Sequence, residues 1–520
     1  MVNDNMKLPL LDLVIFLVFM VGIVGFGCSF YFRNRSAERY TGGGGHLPAW
    51  AIGMSIFATF VSSISFLALP GSAYLSNWNG YVFSLSIPIA SVLAVKFFVP
   101  FYRRINSISA YYFLESRFGP WARSYASFCY LLTQLARMGA IMYLLALPMN
   151  VLFGWSIPLI IVVTGLSVVL YSMMGGIEAV IWTDAVLGIV LMLGALTCAG
   201  ILLFSMPEGP AQMFDIARAH HKFSLGSFAP GVAQSTFWVV LFYGIFINLQ
   251  NYGIDQNYVQ RYLTARTDQQ ARSSTLLGSL LYLPVSLLFF FIGTALFAYY
   301  QAQPQLLPEA YRAEGMADKV FPYFIVHGLP AGLTGLLISS IFAAGMSTVS
   351  TSINSSATII LTDYYKRYIR PEASGKESMK VLYGASLMMG LLSIGMALAM
   401  VKVKSALDAW WAMSSIFSGG MLGLFLLGYI SRKVRNTDAA IGVIVGILVV
   451  CWMSLSRVYF TDGVLLQFQS PFHANLAIVV GTTTIFLVGF LLSKLSRKKR
   501  PGGPEYSAAD PATPKHTSAR

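Results

Sequence analysis

The chain of 520 residues is 56% hydrophobic and only 11% charged, whereas an ordinary soluble protein carries about 25% charged residues. This composition excludes a soluble globular enzyme, and apolar runs of about 20 residues, long enough to cross a bilayer, recur from one end to the other. The net charge of +14 lies in short loops between those runs, which argues against nucleic acid as a partner. We therefore expect an all-α polytopic membrane protein embedded in the lipid bilayer.

Thirteen spans are predicted along the chain. They cover residues 10–32, 48–73, 79–101, 121–152, 156–173, 178–205, 233–260, 274–300, 320–362, 379–401, 406–430, 437–456 and 472–493. The ninth range is long, and we expect a short outer helix before the true span begins. The first apolar run lacks the basic start and cleavage site of a signal peptide, so it is expected to be retained as a helix.

The distribution of arginine and lysine predicts the orientation in the membrane. Alternate loops are basic, and the positive-inside rule then places the N-terminus outside and the C-terminus in the cytoplasm of a bacterial inner (plasma) membrane. Residues 1–495 are expected to form one transmembrane domain. Residues 496–520, rich in proline, alanine and serine, are expected to form a disordered basic cytoplasmic tail.

Spans two and seven have polar interruptions in the middle. The stretch ATFVSSIS occupies 58–65 of span two, and NLQNYG occupies 248–253 of span seven. Interrupted helices at corresponding places in two five-helix halves indicate an inverted-repeat transporter. The alternative is that small hydroxyl side chains only help helices to pack. A third polar cluster at mid-membrane depth, in span nine, favours binding over packing.

Two charged residues lie deep within predicted spans. Arg137 in span four either clamps an internal acid or backbone carbonyls, or it recognises an anionic or polyhydroxylated solute with its planar guanidinium. Asp184 in span six either binds an ion or proton, or it pairs with polar groups of a neighbouring helix. Asp255 follows the interruption of span seven and is expected to order the stretch after it.

Span nine carries eight hydroxyl side chains in the twelve positions 347–358, and lipid cannot satisfy hydroxyl groups. The helical period predicts two overlapping faces, one with Ala344, Ser347, Thr348 and Thr351 and one with Ser347, Ser350 and Thr351. Neutral oxygens with few carboxylates suit a monovalent cation better than a divalent one, and Na⁺ is the usual choice. No Walker A motif occurs, so transport would be driven by an ion gradient.

Four segments carry a resemblance to a known family. They are YTGGGGHLPAWAIGMSIFATFVSSISFLALPGSAY, YSMMGGIEAVIWTDAVLGIV, NYGIDQNYVQRYL and IFAAGMSTVSTSINSS. The chain resembles the sodium/solute symporter family over about residues 8–495, and within that family the bacterial sodium/sialic-acid symporter branch. The resemblance implies a LeuT-type fold, a five-plus-five inverted repeat with three further helices, which matches about thirteen transmembrane helices.

The resemblance also implies Na⁺ as the coupling ion, at one or two sites. The positions that match the principal site are Ala58 and Val61, through backbone carbonyls, with Ala344, Ser347 and Thr348. The positions that match a second site are Asp184, Ser350 and Thr351, together with Ser347. Both sets coincide with the helix faces that the spacing predicts.

The substrate pocket of the sialic-acid branch matches this chain in part. Arg137 aligns with the arginine that holds the substrate carboxylate, and Ser62 and Ser65 align with two hydroxyls of span two. Three positions depart from the pattern: Phe60 stands for a threonine, Ser84 for a glutamine, and Tyr252 for another aromatic residue. Phe60 removes a polar contact and fills volume, so a sugar, another sugar acid or another small carboxylate stays open as substrate.

The resulting expectation is Na⁺-coupled symport of a small organic solute, a sialic acid or related sugar acid or sugar, by alternating access in a monomeric protein that is not an enzyme. The alternative is symport of a monocarboxylate or another small nutrient. Other classes lack their own sequence features: a channel needs a continuous polar pathway, a membrane sensor needs a signalling domain, and an intramembrane enzyme needs a catalytic pair.

Overall fold

The computed structural model describes residues 9–32, 36–105, 107–312, 316–401, 413–414, 416–460 and 463–498. This part of the chain is helical and contains no strand, which confirms the all-α prediction. The helices are α1 Leu10–Ser29, α2 Ala37–Gly42, α3 Ala49–Phe60, α4 Ser63–Leu75, α5 Trp78–Ile105, α6 Tyr112–Phe118, α7 Pro120–Phe153, α8 Ile157–Phe204, α9 Pro210–Ala219, α10 Phe237–Ile254, α11 Gln256–Thr264, α12 Asp268–Ala302, α13 Ala317–His327, α14 Leu333–Ile359, α15 Gly375–Met400, α16 Met421–Ile430, α17 Asn436–Tyr459 and α18 Ala477–Lys498.

The described part of the structure contains fewer membrane-spanning helices than the thirteen predicted. Among those residues, ten helices are long and apolar enough to cross a membrane, or eleven when the bent pair α3 and α4 counts as one span. The predicted spans 156–173 and 178–205 are joined in the 48-residue helix α8. The span predicted at 406–430 includes 402–412, which lie outside the described residues.

Helix α8 changes direction at one glycine. Its length of about 72 Å, at 1.5 Å per residue, is more than twice a bilayer core of about 30 Å. Gly176 has φ 59° and ψ −165°, a conformation that L-residues other than glycine avoid. A Cβ atom at Gly176 would lie 2.9 Å from the carbonyl oxygen of Tyr40. The break between the two predicted spans therefore depends on this glycine.

A Gly176→Ala variant is expected to be less stable than the wild type by about 1–3 kcal/mol, because it strains the backbone and meets the Tyr40 carbonyl. Thermal unfolding in detergent measures the effect. Gly200→Ala is the matched control on the same helix, since a Cβ at Gly200 has nothing within 4 Å and alanine favours helix. Equal melting temperatures for the two variants would contradict this interpretation of the break.

The predicted interruption of span two is confirmed. Helix α3 ends at Phe60, α4 begins at Ser63, and their axes differ by 52°. Val61 and Ser62 between them are extended. The last carbonyl groups of α3 therefore have no following helical turn to bond and are available to other partners.

The interruption of span seven lies later than predicted. Residues 248–253 belong to the regular helix α10, and the chain breaks at Asp255, which has φ −76° and ψ 124°. The carboxylate of Asp255 accepts a hydrogen bond from the backbone N–H of Asn257 at 2.7 Å, so it caps α11. Asp255 is thus the break itself rather than a residue beyond it, because an N-cap side chain fixes where the second helix starts.

Span nine forms the centre of the bundle. The short outer helix expected before it is present as α13, and α14 follows from Leu333 to Ile359 with a π-helical continuation, Ile360–Ile369. Within its membrane-spanning window 94% of the residues are buried, against 22% for α1. Helix α14 packs against α1, α7, α8 and α15 and also touches α3 and α4. Its hydroxyl groups therefore face protein and not lipid.

Candidate functional site

The carboxylate of Asp184 on α8 lies at the centre of the candidate site and is fully buried. Its Oδ1 atom accepts a hydrogen bond from the hydroxyl of Ser347. Its Oδ2 atom accepts hydrogen bonds from Ser55 Oγ at 2.6 Å and from Arg261 Nη2 at 2.9 Å. Three helices, α3, α11 and α14, thus supply partners to one carboxylate.

Arg261 on α11 neutralises this buried charge. Both members of the ion pair are 0% exposed. The guanidinium also donates from Nη2 to Thr351 Oγ1 at 2.9 Å and from Nε to Ser55 Oγ at 2.8 Å. A further hydrogen bond runs from Nη1 to the backbone oxygen of Asn257 at 2.5 Å. Asp184 was expected either to bind an ion or to pair with a neighbouring helix. Its carboxylate contacts both a charged partner, Arg261, and a candidate ion ligand, Ser347.

Sequence reasoning missed Arg261, because it was counted among the basic loop residues that mark the cytoplasmic side. Part of the signal was present in the chain, because an acid inside an apolar span requires a partner and Arg261 directly follows the broken span seven. The structure adds that the side chains of its helix are almost all buried. Ser55, one turn before the interruption of span two, was also missed, because it lies outside the polar stretch 58–65.

The residues predicted for the principal Na⁺ site lie on two packed elements. Ala344, Ser347 and Thr348 occupy one buried turn of α14, where Thr348 Oγ1 donates to the Ala344 carbonyl at 3.2 Å. Ala58 and Val61 are buried at the end of α3, where the helix breaks. The hydroxyl groups and the open carbonyl groups thus belong to helices in direct contact.

The residues predicted for a second site cluster around Arg261. Asp184 and Thr351 both bind its guanidinium, and Ser347 binds the other carboxylate oxygen of Asp184. Ser350 differs, because its hydroxyl donates to the backbone oxygen of Ser347 at 2.9 Å. The structure therefore brings Asp184, Ser347 and Thr351 to the Arg261 ion pair. The hydroxyl of Ser350, also on α14, bonds to the helix backbone instead.

Arg137 lies beside the break in span two. Its Nη2 atom donates to the backbone oxygen of Thr59 at 3.2 Å, as one alternative for this residue expected. No carboxylate lies within 4.0 Å of the guanidinium in the described part of the chain, and the side chain is half-buried. The remaining donors of this arginine therefore form no ion pair in the described residues, and its charge acts on the Asp255 carboxylate only from a greater distance.

Aromatic rings surround Phe60 at the same break. Phe60 stacks on Tyr252 with ring centres 5.3 Å apart and contacts Tyr258 at 5.6 Å and Tyr282 at 5.1 Å. Tyr252, Tyr258 and Tyr282 are buried. Predicted substrate residues of spans two and seven thus meet in an aromatic cluster, to which α11 and α12 each add one tyrosine.

The three predicted serines have different surroundings. The hydroxyl of Ser62 accepts from the backbone N–H of Ser65 at 3.4 Å and caps α4. Ser84 Oγ is hydrogen-bonded to Ser286 Oγ on α12 at 2.7 Å, and both side chains are buried. Ser84 thus contacts α12, whereas Ser62 and Ser65 lie at the break beside Phe60.

A family model described as the sodium:solute symporter family matches residues 40–446. The chain belongs to the sodium:solute symporter family. The sodium/sialic acid symporter NanT of Aliivibrio fischeri is 30% identical over 489 residues, which cover 93% of this chain and 93% of that protein. The sodium/sialic acid symporter SiaT of Proteus mirabilis is 34% identical over 428 residues, covering 82% and 85%.

A solved structure of a Na⁺-coupled sialic acid symporter, substrate-bound and outward-open, has the same fold with a TM-score of 0.83. It is 30% identical and covers 93% of this chain and 98% of its own. The protein is thus a multi-pass membrane transporter with a LeuT-type fold, not an enzyme. It is a symporter of a small organic solute, with Na⁺ as the coupling ion.

Proposed function

We propose that the symporter carries a sialic acid or a related sugar acid, with its carboxylate bound by Arg137. The observation that supports this most directly is the half-buried guanidinium of Arg137, which is held on the Thr59 carbonyl and forms no ion pair within 4.0 Å in the described residues. Planar guanidinium groups bind carboxylates through two parallel hydrogen bonds. The relatives named above are sialic acid symporters.

The aromatic cluster around Phe60 suits a ring-shaped solute. Its faces are apolar, so the C–H side of a sugar ring can pack on them while Ser62 and Ser65 face hydroxyl groups. Phe60 also narrows the site. We therefore expect a sugar acid of smaller volume to compete well with sialic acid for the same pocket.

The coupling ion is proposed to bind where α14 contacts the end of α3. The principal Na⁺ site would take backbone oxygens of Ala58, Val61 and Ala344 and the hydroxyls of Ser347 and Thr348. A second Na⁺ would bind Asp184 Oδ1, Ser347, Ser350 and Thr351, while Oδ2 stays with Arg261. The division of the two carboxylate oxygens between Ser347 and Arg261 supports this arrangement.

The proposed topology has thirteen spans in a five-plus-five repeat with three further helices. The eleven described spans become thirteen when α8 counts twice, on either side of Gly176, and when the predicted span at 406–430 is added. The N-terminus would lie outside a bacterial inner membrane and the C-terminus in the cytoplasm. The protein would be a monomer with one transmembrane domain, residues 1–495. The proposed disordered tail is 496–520, of which residues 499–520 lie outside the described part.

Uptake by purified protein in proteoliposomes tests the function. We expect accumulation of labelled sialic acid under an inward Na⁺ gradient and none when K⁺ or choline replaces Na⁺. A charge-to-substrate measurement in the same vesicles distinguishes one coupling ion from two. Uptake that is equal with Na⁺ and with choline would contradict the proposal.

A Thr348→Ala variant is expected to need about tenfold more Na⁺ for half-maximal uptake, which corresponds to the loss of one oxygen ligand worth about 1.4 kcal/mol. The measurement is the Na⁺ dependence of initial uptake rates. Thr275→Ala is the control, because Thr275 is equally buried but donates only to its own helix, at 2.7 Å to Ala271. An unchanged Na⁺ dependence with normal expression would remove Thr348 from the site.

A further inference from the structure

The second half of the hydroxyl-rich stretch of α14 has no role in either Na⁺ site or in the substrate pocket. Beyond Thr351 the helix carries Ser352, Asn354, Ser355, Ser356 and Thr358, and each of these side chains is 0% exposed. Ser352 bonds to α7, and Asn354 and Thr358 bond to α11, so this part of the helix faces protein. Ion binding next to Asp184 therefore accounts for only the first half of the stretch.

Two amide side chains from neighbouring helices meet the first part of this second half. Gln134 Oε1 on α7 accepts from Ser352 Oγ at 2.8 Å and from Asn257 Nδ2 at 3.2 Å. Asn257 in turn accepts a hydrogen bond from the hydroxyl of Tyr130 at 3.0 Å. The backbone oxygen of Asn257 also binds Arg261, so this layer lies directly against the Asp184 ion pair.

A second layer lies further along α14, at Asn354 and Thr358. Gln260 Nε2 donates to Asn354 Oδ1 at 3.1 Å and to Thr358 Oγ1 at 3.3 Å, and also to the backbone oxygen of Thr41 at 2.6 Å. We name the four amide side chains Gln134, Asn257, Gln260 and Asn354 the inner amide cluster. It connects α7, α11 and α14 without a carboxylate among its members.

Several polar atoms in and beside the inner amide cluster are buried without a hydrogen-bond partner among the described residues. They include Gln134 Nε2, Gln260 Oε1 and Ser356 Oγ. Buried polar atoms are almost always paired with protein or with ordered water. A row of unpaired amide and hydroxyl groups from three helices therefore indicates a place that water or an ion occupies.

The far end of this row is closed by an ion-pair group. The buried carboxylate of Asp363, in the π-helical continuation of α14, accepts from Arg123 Nη2 at 2.5 Å and from Ser109 Oγ at 2.9 Å. These residues belong to the end of the bundle that carries the basic loops. The polar row thus runs from the Asp184 ion pair toward the proposed cytoplasmic face and stops behind the Asp363 group.

We propose that the inner amide cluster is the hydrated route by which Na⁺ leaves the Asp184 region for the cytoplasm. Amide and hydroxyl oxygens are neutral hard ligands, which can replace the water shell of Na⁺ in succession. Conduction requires sites that bind an ion weakly enough to release it, and the absence of a carboxylate from the cluster provides this. The inference rests on the proposed function, whose Na⁺ site next to Asp184 lies at the start of the route.

The first test is chemical access to position 356. In inside-out vesicles, a Ser356→Cys variant is expected to react with a membrane-impermeant maleimide about tenfold faster in K⁺ than in Na⁺, because bound ion and closure of the route both protect it. Ser393→Cys is the matched control, since Ser393 is equally buried on α15 but bonds only to its own helix and to Met142. Labelling of the wild type measures the background reaction of the four native cysteines. Labelling of Ser356→Cys that is as slow as that of Ser393→Cys, or that is indifferent to Na⁺, would overturn the proposal.

The second test separates ion release from ion binding. Gln260→Leu keeps the volume and removes the amide, so net uptake is expected to fall about tenfold while the Na⁺ concentration for half-maximal substrate binding from outside changes less than about twofold. Normal net uptake would overturn the proposal. If Gln260→Leu does not fold, the labelling of Ser356→Cys decides. That labelling needs Na⁺ alone, so it stays informative even if sialic acid is not the substrate.

Discussion

An Arg261→Met variant is expected to lose about 3–5 kcal/mol of folding stability, the effect of removing one partner of a buried ion pair. Methionine fills a similar length of side chain but leaves the Asp184 carboxylate buried with only hydroxyl partners. Ser55 and Thr351 lose their charged donor in the same step. The destabilisation is large because neither member of the pair has any exposed surface.

Thermal or denaturant unfolding in detergent measures this loss. An Asp184→Asn/Arg261→Met double variant should recover part of it, since no uncompensated charge then remains. Arg370→Met is the control, because its pair with Glu377 leaves 67% of the arginine side chain exposed and exposed pairs contribute about 0–1 kcal/mol. A single variant within about 1 kcal/mol of the wild type would show that the ion pair does not hold the fold.

An Arg137→Lys variant is expected to bind the substrate about 10- to 100-fold more weakly, with Na⁺ binding largely retained. Lysine keeps the positive charge but loses the planar pair of donors, and charge-assisted hydrogen bonds contribute about 1.5–3 kcal/mol. Substrate-induced thermal shifts and competition uptake measure the affinity in saturating Na⁺.

Arg117→Lys is the matched control for this variant. Arg117 also donates from Nη2 to backbone carbonyls, those of Ser431 and Val434, but it lies on α6, away from the aromatic cluster. If the wild type and the Arg137→Lys variant transported a neutral sugar equally well, the proposal that Arg137 recognises a substrate carboxylate would be wrong.

The sequence predicted helices and helix faces well, because both depend on local periodicity. Ser347 and Thr351 share one helix, so a repeat of 3.6 residues was enough to place both at the Asp184–Arg261 pair, whereas Ser350 on the same helix bonds to the backbone of Ser347. The interruption of span two was also predictable, since its small and polar residues stand out in an apolar run. The polar residues 248–253 misled the same reasoning, because they lie in the regular helix α10 and the chain instead breaks where Asp255 caps the next helix.

Contacts between distant segments could not be predicted in this way. Arg261 and Asp184 are 77 positions apart, and no local pattern states that the helix after one break folds back onto span six. The kink of α8 was expected only as a loop between two spans. A single glycine with positive φ, Gly176, separates the two helical segments, so the composition on both sides still resembles helix.

The Asp184–Arg261 pair also has a consequence for the electrical behaviour of the carrier. A lone carboxylate at mid-membrane depth would give the unloaded protein a negative charge that feels the membrane field, at about 2.3 kcal/mol per 100 mV for a full crossing. With the guanidinium 2.9 Å from the carboxylate, this centre is neutral when no ion is bound. We therefore expect the return of the empty carrier to be independent of voltage at this position, and the current through the cycle to accompany the Na⁺-loaded step.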